Sequence, residues 1–261
     1  MSTKARPWAS KVKPLLRQAH KSANKGRKHC VYTMDSVGGA HVKADLSHLT
    51  YTDYEHVYEP AEDTFLLMDA LIKDKIFLRI LKPVYCVEVG CGTGSVSAVL
   101  QKLLCSIGSP TPYFLLTDIN PQAAKVAYTT CLQNNMPFFD VVRTNLFCGL
   151  EESLEDSVDV LIFNPPYVPT PAEEVGSTGI SAAWAGGVDG RVVIDRFLSS
   201  VDRLLSRRGV LYLLLVEENK PEEIAALMAS RGFSTKIVLR KQAKNESQLV
   251  MKLFRNRKLL E

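Results

Sequence analysis

Tyr85-Cys86-Val87-Glu88-Val89-Gly90-Cys91-Gly92-Thr93-Gly94 begins as an apolar run carrying one acid and ends in three glycines at alternate positions, with the apolar stretch Ser95 to Leu104 directly behind it. Such a run reads as a buried strand over 85–90 followed by a helix. The glycines allow a sharp turn and let a ligand approach backbone N–H groups at the helix start. A dinucleotide fingerprint would place its third glycine at position 95, where this chain has Ser95, so a nicotinamide-dependent oxidoreductase is disfavoured. Outward from this turn, apolar runs at 113–118, 139–145, 158–164 and 209–216 read as strands. Amphipathic stretches near 61–74, 95–105, 121–134, 190–206 and 220–231 read as helices. The alternation predicts an α/β fold, a mostly parallel sheet with helices on both faces. The last two runs, Thr235 to Leu239 and Leu249 to Phe254, flank Lys244-Asn245-Glu246 too closely for a crossover helix and predict a C-terminal antiparallel hairpin.

Charge divides the chain in two. Of 261 residues, 32 are Lys or Arg and 28 are Asp or Glu, a net of +4. Residues 1–34 hold nine Lys or Arg and no acid, which leaves a net of −5 on the remaining 227. The segment 1–53, rich in Lys, Ser, His and Gly and without a sustained apolar period, is expected to be a disordered basic extension ahead of a domain at 54–261. Three accounts of it stay open: an organelle transit peptide, a tail that binds nucleic acid, or a stretch upstream of a start at Met34. Only Val12, Leu15 and Leu16 cluster in it, which weighs against the transit peptide. No apolar run approaches the roughly 18 residues that span a bilayer. The six cysteines, Cys30, Cys86, Cys91, Cys105, Cys131 and Cys148, form no Cys-x-x-Cys pair and have no histidine at zinc-ligand spacing. They are expected to be reduced thiols in a cytoplasmic and nuclear protein, with no metal site.

The acid two residues before the glycine turn, Glu88, completes a pattern that resembles motif I of class I methyltransferases using S-adenosylmethionine. The resemblance implies their Rossmann-like sheet and cofactor contacts at Glu88, Gly90, Gly92 and Gly94. Asp118, at the end of the next strand and 30 residues after Glu88, can accept both hydrogen bonds of a ribose diol. As a helix cap it is the poorer fit, since Asn120 stands directly before Pro121. The third strand ends at Asn145-Leu146. In methyltransferases of this type an acid or amide there receives the adenine amino group; related enzymes often have Asp, and the Asn145 oxygen is expected to accept that bond without the charge.

The fourth strand, Val158 to Phe163, runs into Asn164-Pro165-Pro166-Tyr167. The prolines fix the backbone, so that the Asn164 side chain and the Pro165 carbonyl can face a planar amino group on which Tyr167 can stack. An amide nitrogen is a poor nucleophile because its lone pair is delocalised. Two acceptors holding both N–H groups let that pair turn toward a methyl sulfonium, and positioning of this kind is worth roughly 7–11 kcal/mol in favourable cases. Amino-methyltransferases acting on adenine and on protein glutamine share the motif.

Two longer stretches narrow the choice. Tyr58-Glu59-Pro60-Ala61-Glu62-Asp63-Thr64-Phe65-Leu66-Leu67 and the run from Glu174-Val175-Gly176 through Trp184-Ala185-Gly186-Gly187-Val188-Asp189-Gly190-Arg191 resemble the eukaryotic and archaeal branch of the HemK family, the release-factor glutamine methyltransferases. The resemblance runs from about residue 54 to the C-terminus. It implies Thr64 against the methionine part of the cofactor, cofactor or substrate positions at Glu88, Gly90, Asp118, Asn145, Leu146 and Asn164, and catalysis by Asn164, Pro165 and Tyr167, with Pro166 in the substrate site. It also implies methylation of the glutamine in the Gly-Gly-Gln loop of a class I release factor, by a heterodimer with a small zinc-binding activator subunit. The apolar strand Pro137-Phe138-Phe139-Asp140-Val141-Val142, expected at a sheet edge, is where that subunit would dock by strand addition.

Histone lysine and DNA adenine N6 are the alternative targets. The net of −5 and the absence of a separate target-recognition module weigh against DNA, and the basic run Arg255-Asn256-Arg257-Lys258 is short. A lysine must lose its proton before attack and Asn164 is no base, although Glu173 and Glu174 could attract a basic peptide. A non-catalytic scaffold is disfavoured by the intact glycine turn and Asn164.

Overall fold

Short apolar runs become strands and amphipathic stretches become helices in the computed structural model, which describes residues 42–176, 178–242 and 246–255. Numbered in chain order, the helices are α1 (Tyr51–Tyr54), α2 (Glu62–Lys73), α3 (Lys75–Leu81), α4 (Ser95–Ser106), α5 (Pro121–Gln133), α6 (Glu151–Leu154), α7 (Val192–Leu204) and α8 (Pro221–Ser230). The strands are β1 (Tyr85–Val89), β2 (Tyr113–Asp118), β3 (Phe139–Arg143), β4 (Val158–Phe163), β5 (Leu205–Val216), β6 (Phe233–Gln242) and β7 (Ser247–Arg255). They form one sheet in the order β3-β2-β1-β4-β5-β7-β6. The first five strands are parallel, and β7 runs antiparallel to both β5 and β6. This is the mostly parallel sheet with a C-terminal hairpin expected from the sequence; the hairpin tip at Lys244-Asn245 lies outside the described residues.

Every residue of β1 and β4 is buried, so helices and loops cover both faces at the centre of the sheet. In α7 the buried set Val193, Ile194, Phe197, Leu198, Val201 and Leu204 recurs at helical spacing, leaving the polar residues outward. From β1 the chain builds outward through β2 to β3, then returns through β4 to β5. The reversal opens a crevice between β1 and β4 at their C-terminal ends, the place where sheets of this kind bind ligands.

Three features differ from the sequence expectations. Lys75–Leu81 is a separate helix; it buries only Leu78 and Leu81, too few apolar contacts for its pattern to stand out. Strand β5 starts at Leu205 rather than 209, because a register shift opposite Val158 and Val160 lets the chain bulge where Gly209 lies against the Val158 carbonyl. Residues 42–53, assigned from sequence to the extension, lie along α5. The Asp45 N–H donates to Asn134 Oδ1 at 2.7 Å and Asn134 Nδ2 donates back to the Asp45 carbonyl at 2.8 Å. Leu49 and Val57 pack on Ala123 and Val126. Residues 1–41, and with them the three accounts of the basic extension, lie outside the described residues.

Candidate active site

A cleft of about 1120 Å³, its open mouth included, lies over the C-terminal ends of β1, β2 and β4. Glu88, Gly90, Gly92, Asp118, Asn145, Leu146, Asn164, Pro166 and Thr64 all line it. The turn after β1 has Gly92 at φ +52°, with nothing within 4 Å of the place a Cβ would occupy, so the backbone there is open to a ligand. Gly94 does not line the cleft. It sits at the start of α4 against Ala127, 3.1 Å from the position of an added Cβ, and is glycine for helix packing.

Two carboxylates stand at the ends of β1 and β2. Glu88 is buried, and its Oε2 accepts from the Ser97 N–H at 2.9 Å and from the Ser97 hydroxyl. Burial pushes its carboxyl up to about 7 despite those bonds, and the neighbouring Asp118 adds to the rise. Asp118 Oδ2 accepts from the Gly92 N–H at 2.9 Å and its Oδ1 from the Asn120 N–H at 2.8 Å. Burial raises its pKa while these backbone bonds oppose the rise. Each Asp118 oxygen keeps a lone pair for a ligand. Asn120 caps α5, accepting from the Gln122 N–H, and donates to the His56 carbonyl at 2.7 Å, which joins the strap before α2 to this wall.

After β3, Leu146 adopts φ +53°, strained for a leucine, at the cleft wall. Asn145 differs from its expected role in one respect. Its Oδ1 accepts from Arg196 Nη2 at 3.0 Å, so the amide oxygen expected to serve an adenine amino group alone is shared with a guanidinium from α7. The sequence offered no hint of that contact, 51 residues away.

Asn164 follows β4. Its Nδ2 donates to Asp63 Oδ2 at 2.9 Å, while its Oδ1 is buried and has no hydrogen-bond partner among the described residues. With the amide turned the other way, two oxygens would face each other, so the network fixes its orientation. Asp63, at the start of α2 and 3% exposed, was not singled out from sequence. Its Oδ1 accepts from the Thr64 N–H at 2.6 Å, from the Thr64 hydroxyl and from the Tyr58 hydroxyl, both at 3.2 Å. The Tyr167 hydroxyl lies 3.5 Å from Asp63 Oδ2 and 3.4 Å from Glu246. Tyr167 lines not the first cleft but an adjoining recess with Tyr58, Glu62, Asp63, Glu218, Glu246 and Gln248. Glu173 and Glu174, expected near the mouth, are exposed on a single 3₁₀ turn and line neither space. Pro165 is buried between Asn164 and Pro166.

The stretches 168–176 and 178–191 fold back over this motif. The Val168 N–H donates to the Trp184 carbonyl and the Gly186 N–H to the Val168 carbonyl. A Cβ on Gly190, at φ +64°, would lie 1.9 Å from the Tyr167 carbonyl oxygen, so only glycine lets the two backbones touch. Asn219, fully buried and also missed from sequence, locks the arrangement. Its Nδ2 donates to the carbonyls of Tyr167 and Asp189, and its Oδ1 accepts from the Val216 N–H. Among the described residues no group of three His, Cys, Asp or Glu is placed to hold a metal ion.

The chain matches the model of the methyltransferase small domain over residues 64–183. It is 45% identical over 203 residues to methyltransferase HEMK2 of Homo sapiens, across 78% of this chain and 92% of that protein. To the eRF1 methyltransferase catalytic subunit mtq2 of Schizosaccharomyces pombe it is 36% identical over 220 residues, across 80% and 94%. Among solved structures, the E. cuniculi Mtq2–Trm112 complex, responsible for methylation of the eRF1 translation termination factor, matches with a TM-score of 0.57 and 31% identity, over 77% of this chain and 99% of that one.

Proposed function

This chain belongs to the HemK family of methyltransferases, and from that premise we propose that it methylates the side-chain N5 of the glutamine in the Gly-Gly-Gln loop of a class I release factor, using S-adenosylmethionine. The observation that carries the proposal is Asn164 Oδ1, a buried acceptor without a partner among the described residues, at the end of β4. A buried acceptor of this kind is costly unless a ligand donates to it, and a primary amide nitrogen does so.

The cleft fits the cofactor. Asp118 retains acceptor capacity for a ribose diol, Gly92 leaves its backbone approachable, and Glu88 is a desolvated carboxylate whose carboxyl burial pushes up. A cationic ligand suits such a group. Thr64, Glu88, Gly90, Gly92, Asp118, Asn145 and Leu146 would hold it. When bound, S-adenosylmethionine supplies an electrophilic methyl group and leaves as a neutral thioether, with one proton released from the substrate nitrogen. Asn164 Oδ1 and the Pro165 carbonyl would hold the two N–H groups, Pro166 would keep the turn rigid, and Tyr167 would pack against the amide.

A basic peptide presenting lysine is the second reading, favoured by the acids Glu62, Glu218 and Glu246 around the adjoining recess. The partner proposed for the chain is a small activator subunit of the zinc-binding kind. The deciding experiment incubates the full chain, with and without that subunit, with labelled S-adenosylmethionine and equal amounts of release factor, histone and DNA. Label is expected in the release factor and lost when its glutamine is replaced by alanine. Label entering mainly DNA would overturn the proposal. Asn164→Ala should lower turnover ~100- to 1000-fold while S-adenosylhomocysteine still binds in calorimetry; retained turnover would remove Asn164 from the chemistry.

A further inference from the structure

We propose that Asp63 is a positioning residue that sets the polarity of the nitrogen site, making it a pocket of acceptors that admits the amide NH₂ of the substrate and turns away its carbonyl oxygen. The inference rests on the amide-methylating reading above and deepens it.

The argument is one of donor and acceptor counting. Both Asp63 oxygens act as acceptors, and the polar groups around them are arranged as donors: Thr64 through its N–H and hydroxyl, Tyr58 through its hydroxyl, and Asn164 through Nδ2. Tyr167 also turns its hydroxyl to Asp63 or Glu246, both carboxylates. Burial, together with the Asp63 charge, pushes the Tyr58 and Tyr167 hydroxyls up, so both keep the proton they donate. The donors around Asn164 that could greet a substrate oxygen are therefore turned inward onto carboxylates, Asp63 foremost. What Asn164 has left to present is Oδ1. A glutamine side chain entering with its oxygen first would set acceptor against acceptor, whereas its nitrogen has two protons to give. Asp63 thus acts through Asn164 and selects which end of a nearly symmetric amide meets the methyl donor.

Exchange of the two residues tests this. Asp63→Asn removes the obligate acceptor and lets the Asn164 amide turn over; Asn164→Asp sets two carboxylates face to face. In the double variant the amide introduced at position 63 can donate to the carboxylate introduced at position 164, whose other oxygen again faces the substrate as an acceptor. The full chain, in complex with its activator subunit, would be assayed for kcat and KM on a release factor, for S-adenosylhomocysteine affinity by calorimetry, and for melting temperature. Each single variant should lose kcat by ~100-fold or more with cofactor affinity unchanged, and the double variant should recover at least tenfold over Asp63→Asn. An Asp63→Asn enzyme with near wild-type kcat would overturn the proposal. So would a folded, cofactor-binding double variant no more active than the singles, since a merely structural Asp63 gives no reason for rescue. If the wild-type complex methylates no glutamine at all, it is the underlying reading that fails.

Discussion

At the scale of single residues, legibility depended on whether the reason for a residue is local. The glycine turn, the Asn120 cap and the acid ending β2 each have a cause within a few positions, and the sequence displayed them. Asp63 does not. It stands beside Glu62 at the start of α2, where any acid favours the helix dipole. What separates the two is above all the approach of Asn164 and Tyr167, 101 and 104 positions away. Arg196 reaching Asn145 is hidden for the same reason. Glu88 was visible as a motif residue, but its energetics come from burial. Its carboxyl is raised from 4.5 to about 7, so the folded enzyme holds that proton more tightly than the unfolded chain. Its contribution therefore favours the fold below about pH 4.5 and is lost as pH climbs to about 7, a change of about 3 kcal/mol. Glu88→Gln keeps an oxygen for Ser97 and removes the titration. Urea denaturation of the ligand-free protein at about pH 5 and about pH 8, on either side of the raised value, should show the variant gaining on wild type at the higher pH. A constant difference at both would mean that Glu88 does not titrate in that window.

Elements were legible as kinds and less so as contacts. The long stretch from Trp184 to Arg191 stood out as a motif, yet its glycines make sense only once the segment is laid on Asn-Pro-Pro-Tyr. Gly190 touches the Tyr167 backbone, and Asn219, which reads in sequence as a polar residue before the Pro221 helix start, ties three segments together. This element holds the catalytic turn from behind, and its failure should show as lost stability and lost turnover together. Asn219→Ala leaves the Val216 N–H and the Tyr167 carbonyl without that partner in a buried setting, a cost of about 1–3 kcal/mol for each group. Gly190→Ala adds a left-handed alanine to a steric overlap and should cost at least as much. Differential scanning calorimetry is expected to show a fall of several degrees for either variant, with Gly190→Ala the larger. A Gly190→Ala enzyme with unchanged melting and turnover would show that the two backbones do not meet.

For the whole molecule, strand order decides which surfaces remain to be covered, and no single strand's composition states that order. The sheet has two edges of opposite character. Edge β6 is ten residues long and carries exposed Lys236, Arg240 and Lys241, charges that discourage pairing with another strand. Edge β3 is five residues long, and the apolar side chains beside it stay open: Phe138 is 42% exposed, and on the neighbouring α5 Tyr128 is 50% and Leu132 54% exposed. Tyr128 packs on the Phe139 ring at 5.4 Å, so helix and edge form one continuous surface. A patch of this kind flanking unpaired backbone groups suits strand addition better than solvent does. On this argument the small activator subunit proposed for the chain adds to β3 and leaves β6 free. Phe138→Lys should weaken that association at least tenfold, about 1.4 kcal/mol, and leave S-adenosylhomocysteine binding intact, because Phe138 precedes β3 while the cleft takes only Thr144, Asn145 and Leu146 from beyond that strand's other end. Ile237→Lys on β6 should leave association unchanged. Titration calorimetry of each variant with the separately purified subunit reads both effects. Association lost through Ile237→Lys and kept in Phe138→Lys would move the partner to the opposite edge, and an isolated chain that stayed monodisperse and fully active would show that β3 needs no cover.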